Sequence, residues 1–208
     1  MCIFFLFFTL SIRAEYLFIE GKFEPNKKWV EFSKTKRFNF KNLFNQLLKS
    51  TTGRELLTLA SNKAKESGLT LYDIVDVGNG SLTDTTLIRK FYPSSPDKVT
   101  YVSRSKVYLN KELNQYDALL DLAHELTHYV YRTNFNPYVK NFSLGEFITN
   151  TIEGKGGEVQ AFLMECKVHD ELFSNQDVKR YNCAKVTNPQ TGKISFELAV
   201  KRFYQVGE

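Results

Sequence analysis

Long apolar runs, histidines and cysteines are all scarce in this chain, and each scarcity narrows what it can be. Its opening apolar run, MCIFFLFFTLSIRA, is too short to cross a bilayer, which takes roughly 20 residues of helix, so no stable membrane span is expected. Lysine and arginine together number 28 against 23 acidic residues, and they are scattered rather than gathered in a block, so nucleic acid is not an expected partner. There is no internal repeat and no low-complexity tract. Gly78 and Gly80 in VGNGSLTD lack the third glycine and the strand and helix flanks of a dinucleotide fingerprint, which leaves a turn. What is present is enough apolar material, 42% of 208 residues, for one domain with a real core.

The opening run ends in the small residue Ala14 and has the length of a signal peptide. Residues 1–14 are therefore expected to be a signal, residues 15–208 a single domain, and the protein secreted or periplasmic. One departure is that no lysine or arginine precedes the run; the competing reading is a buried strand. Cys2 would leave with the signal, and Cys166 and Cys183 would remain as a pair able to form a disulfide in an oxidising compartment, the alternative being two separate buried thiols. The most basic stretch, Lys22 to Lys49, interleaves its cations with Trp29, Phe32, Phe38 and Phe40. A solvated basic face over an aromatic core is expected there in preference to an anion-binding patch.

Apolar spacing predicts helices over 38–50 and 54–67, the second closed by Gly68. Residues 69–77 read as an extended stretch. Runs 85–92 and 98–109 carry the alternation and β-branched residues of a hairpin, broken near Ser103 to Ser105. The chain's end, 194–206, reads as a final helix or strand.

Two of the three histidines lie in one stretch, YDALLDLAHELTHYVYR, from Tyr116 to Arg132. Leu119, Leu122, Ala123, Leu126 and Val130 recur at steps of three and four, marking the apolar face of a helix. His124 and His128 stand on another stripe. Side chains four apart project side by side, so both imidazoles can reach one metal ion, with Glu125 beside them to take a proton from a water on that ion. A catalytic zinc takes three protein ligands. Glu153, Glu158 and Glu165 are the downstream candidates for the third; Glu158 is favoured because it opens a helical pattern just after Gly156 and Gly157.

His124-Glu125-Leu126-Thr127-His128 followed by Glu158-Val159-Gln160-Ala161 resembles the gluzincin branch of the zincin metallopeptidases over residues 99–168. The resemblance implies an α+β, zincin-like fold: a small antiparallel sheet, an edge strand leading into the HExxH helix, and a second ligand-bearing helix. It implies His124, His128 and Glu158 as Zn2+ ligands, Glu125 as general base, and a peptide or protein substrate. Many members carry an aspartate four residues after the ligand glutamate to orient a histidine; here that residue is Phe162, which leaves Asp121 or a backbone carbonyl for the role. Tyr129, Tyr131, Tyr138 and His169 are candidates for the oxyanion-stabilising group. The short spacing to a third histidine that marks metzincins is missing, since the next one is His169. The expected function is thus an exported zinc metallopeptidase. The alternatives are a zinc-bound, non-catalytic binding protein of the cell envelope and a basic surface-binding domain in which the motif is accidental.

Overall fold

The computed structural model describes residues 22–31, 33–133, 143–174 and 181–205. The signal segment 1–14 and Tyr138 lie outside these. Helix α1 (Lys36–Leu47) starts where the Thr35 hydroxyl accepts from the Phe38 N–H, and α2 (Thr51–Glu66) where the Ser50 hydroxyl accepts from Gly53. Gly68, at φ +72°, then turns the chain in the left-handed conformation foreseen for it. The stretch 69–77 is not extended throughout. Thr70 and Asp73 form a reciprocal capping box that winds Leu71–Ile74 into a helical turn, α3, before strand β1 (Val75–Gly78).

Strands β2 (Leu82–Tyr92) and β3 (Ser95–Asn110) form a long hairpin, and the sheet order is β1-β3-β2. The sheet is mixed rather than wholly antiparallel. β1 runs parallel to β3, from Val75 against Val107 to Gly78 against Asn110, while β2 is antiparallel to it. The expected break near Ser103 to Ser105 does not occur. Thr85 pairs with Ser105, and their hydroxyls bond each other at 2.8 Å across the strands, so these polar residues are satisfied without leaving the ladder. β1 covers only residues 107–110 of β3; the longer part of β3 has β2 on one side and no strand on the other among the described residues.

β3, the central strand and not an edge one, leads into helix α4 (Gln115–Tyr131), whose N-terminus is capped by Asn114. The sequence suggests one apolar face for this helix, but it is buried on several. Ala118, Leu119, Leu120, Leu122, Ala123, Leu126 and Thr127 have no exposed surface, because α1, α2, the sheet and helix α6 (Glu158–Phe173) all pack around it. Trp29, Phe40 and Phe44 belong to this core, and the Trp29 indole donates to the Asn110 carbonyl at 2.7 Å. The aromatic residues of the basic stretch thus mostly hold the fold together, with Lys34 and Arg37 laid over the rings of Phe38 and Tyr72.

A second, smaller core lies on the far side of α6. In the chain, α5 (Leu144–Ile148) and a π-helical turn, Thr149–Glu153, precede α6 and lead to Gly154. Beyond α6, helices α7 (Tyr181–Lys185) and α8 (Phe196–Tyr204) pack on it through Val159, Cys166, Cys183, Val186 and Ala199. The Cys166–Cys183 disulfide is formed, as the spacing suggested, and ties α7 to α6. No helix among the described residues is long and apolar enough to cross a membrane. The disulfide is compatible with an extracellular setting.

Candidate metal centre

His124 and His128 project from α4 as ring neighbours, with centroids 4.8 Å apart, toward the N-terminus of α6. There, Glu158 Oε2 lies 3.3 Å from Nε2 of each histidine. One donor atom from each of the three residues falls within 4.8 Å of the others. Four ligands set tetrahedrally at the 2.0–2.1 Å of zinc–nitrogen and zinc–oxygen bonds lie about 3.3 Å apart, the separation of Oε2 from each imidazole nitrogen. The donor set of two imidazoles and one carboxylate fits an ion of this kind. Of the three carboxylates weighed for the third position, Glu158 is the one brought to Nε2 of both histidines. Glu153 accepts from the Tyr204 hydroxyl at 2.6 Å instead.

Each histidine is held by its other ring nitrogen. Nδ1 of His124 meets Glu165 Oε2 at 3.1 Å, and Nδ1 of His128 donates to the Gly156 carbonyl at 2.8 Å. Both contacts fix the tautomer that leaves Nε2 directed at Glu158. Glu165 thus contacts a member of the His124-His128-Glu158 group rather than belonging to it. It lies seven residues after Glu158, two helical turns on and therefore on nearly the same stripe of α6. The orienting role suggested for Asp121 falls to Glu165 at His124, and the backbone-carbonyl alternative holds at His128.

The Gly156 carbonyl reaches His128 because the chain turns there at φ +78°, where an added Cβ would stand 2.2 Å from the Arg132 backbone nitrogen. Any side chain at this position would drive α4 and the glycine turn apart. Arg132, one turn after His128, completes the frame. Its Nη2 donates to Glu158 Oε1 at 2.8 Å and its Nε to the Gly156 carbonyl at 3.2 Å. Nη2 also stands 2.9 Å from Nδ1 of His128. That nitrogen donates its hydrogen to Gly156, so the approach is a contact and not a second hydrogen bond. The guanidinium therefore occupies one oxygen of Glu158 and leaves the other to the histidines. Arg132 shares a stripe with His124 and His128 at steps of four, a signal that was readable but ambiguous in the sequence.

Glu125 is 7% exposed and sits under strand β2, where the Thr83 hydroxyl donates to its Oε2 at 2.7 Å. Burial pushes its carboxyl up, against the Thr83 bond and the neighbouring imidazoles, which pull it down. Burial alone would lower the His124 imidazole, yet Glu158 and Glu165 on its two nitrogens push it up to about 10. Burial would likewise raise Glu158, but hydrogen bonds to His124 and His128 hold it well below the usual carboxylate range.

The described candidates for an oxyanion-stabilising group are engaged elsewhere. Tyr131 bonds Glu55 on α2, the Tyr129 ring lies under Lys63, and His169 packs against Tyr116 and Phe173 with Nδ1 3.1 Å from Asp170. A cavity of about 230 Å³ opens directly on His124 and Glu158.

Fold and site together define a mixed α+β domain with a His124-His128-Glu158 group that can hold a metal ion. No family model, no curated protein and no solved structure matches the chain.

Proposed function

We propose that the chain is an exported, zinc-dependent metallopeptidase of the gluzincin type that hydrolyses peptide bonds. The observation that supports this most is the convergence of the HExxH histidines with Glu158, while a buried carboxylate, Glu125, sits alongside without belonging to the ligand group. Two nitrogens and one oxygen suit zinc with a position left for water, and zinc would polarise the scissile carbonyl and lower the pKa of that water.

The remaining roles belong to the chain's own residues. His124 and His128 would hold the ion by Nε2 and Glu158 by Oε2, while Arg132 keeps Glu158 turned toward it. Glu125, its carboxyl raised by burial, takes the water's proton and passes it to the leaving nitrogen. The Thr83 hydroxyl fixes the rotamer of Glu125 during both transfers. Among the described residues β2 is paired on one side only, so its other edge is the place for an extended substrate.

The decisive experiment is Glu125→Gln. Metal content should stay at one zinc per chain while peptide hydrolysis drops by roughly 10²–10⁴-fold. Full activity in that variant would sink the mechanism. Zinc bound by the wild type with no hydrolysis of any peptide library would leave a zinc-holding, non-catalytic binding protein of the envelope.

A further inference from the structure

The cavity beside the metal centre has two unlike halves. Val159 and Phe162 of α6 and Ala199 and Phe203 of α8 supply its apolar lining beside His124 and Glu158. Asn182 and Arg202 supply its polar side chains away from the metal group. At about 230 Å³ it is below the usual range for sites that engulf a whole small molecule, and it suits one bulky side chain.

Arg202 is half-buried, and among the described residues its guanidinium has neither a hydrogen bond nor an ion pair. Arg132, the other arginine near the centre, bonds both Glu158 and Gly156. A guanidinium withdrawn from water against an apolar wall lacks the anion that would normally offset its desolvation.

We infer that this cavity takes an apolar residue that bears a free carboxylate: the side chain lies along Val159, Phe162 and Phe203, and the carboxylate pairs with Arg202. A peptide presents that combination at its C-terminal residue, so the preferred substrate carries a large apolar residue at its C-terminus, immediately beyond the bond cleaved at the metal. The assignment to substrate rests on the peptidase reading, whereas the ligand preference itself requires no turnover.

The test is direct binding to the full chain after chelator treatment, so that a carboxylate held by a metal cannot imitate one held by Arg202. 3-Phenylpropionate, 3-phenylpropanamide and propionate are titrated by calorimetry into the wild type and Arg202→Gln. The phenyl acid should bind at least tenfold more tightly than either its amide or propionate, and Arg202→Gln should erase its advantage over the amide. Equal binding of acid and amide by the wild type would overturn the proposal, as would an advantage that survives Arg202→Gln, which would place the carboxylate on His124. Equal binding of propionate and the phenyl acid would remove the apolar half. If the predicted preference appears but no peptide is cut, the peptidase reading fails and the ligand class stands. For an active enzyme, a C-terminal phenylalanine peptide should lose at least tenfold in kcat/KM on amidation, whereas a peptide whose only carboxylate is an internal acidic side chain should gain nothing from Arg202.

Discussion

Replacing Glu165 by glutamine perturbs the centre without removing a ligand, and its effect should carry a particular pH signature. Glu165 is 6% exposed and contacts Nδ1 of His124. Loss of such a partner typically weakens metal binding 10–100-fold, or about 1.4–2.7 kcal/mol. Glutamine keeps an acceptor oxygen, so the lower end of that range applies. A second effect opposes the first. In the ion-free chain Glu158 and Glu165 push His124 up to about 10, so near neutrality an incoming ion must displace a proton. Wild-type affinity should therefore climb about tenfold per pH unit until that pKa is reached. Glu165→Gln removes one of the two carboxylates that retain the proton, so the variant begins its climb with less proton competition and levels off sooner. Its deficit should be small or even reversed at pH 7 and widen toward about tenfold only as pH passes the wild-type value of about 10. Zinc titration against a chromophoric chelator at fixed ionic strength measures both curves. A deficit that stays constant or narrows as pH rises from 7 to 10 would refute this account of Glu165.

Two further outcomes concern the frame around the site. Glu171 of α6 accepts from the Ser50 and Thr52 hydroxyls and the Thr52 N–H, so it caps α2 from a neighbouring helix. Burial would raise its carboxyl, but these bonds hold it below the usual range, so its contribution is present above the ordinary carboxylate pKa and lost as pH falls through the lowered value. Glu171→Gln should cost about 1 kcal/mol in urea unfolding at pH 7, with the gap closing below pH ~4. The Cys166–Cys183 bridge spans 17 positions, and a loop of that length contributes about 3 kcal/mol. Cys166→Ser/Cys183→Ser should lower Tm by roughly 6–12 °C by calorimetry. An unchanged midpoint would show that the second core holds α7 and α8 without the bridge.

The metal group was legible because two of its members are four apart on one helix, a local relation that survives any tertiary arrangement. Glu158 could be singled out because it opens a helix. The roles of Glu165 and Thr83 were hidden, since each depends on how α6 and β2 dock, which no local spacing encodes; Arg132 stood on the histidine stripe, but its bond to Glu158 depends on the same docking of α6. The parallel strand β1 was obscured by its brevity, and the capping pair at Thr70 and Asp73 wound part of an apparently extended stretch. The expected interruption of β3 failed for a related reason: Ser103 and Ser105 lower strand propensity alone, but paired opposite Leu87 and Thr85 they complete a ladder.

Among the described residues the hairpin that lends Thr83 to Glu125 leaves much of β3 without a strand along one side, and an unpaired backbone edge is a template on which another copy can add a strand. Lys98 and Arg104 are spaced along that stretch, whereas Lys106 is already paired with Asp76 of β1 at 2.7 Å. Two molecules meeting edge to edge would set these cations against one another as well as against their own copies. These two cations therefore oppose polymerisation on β3.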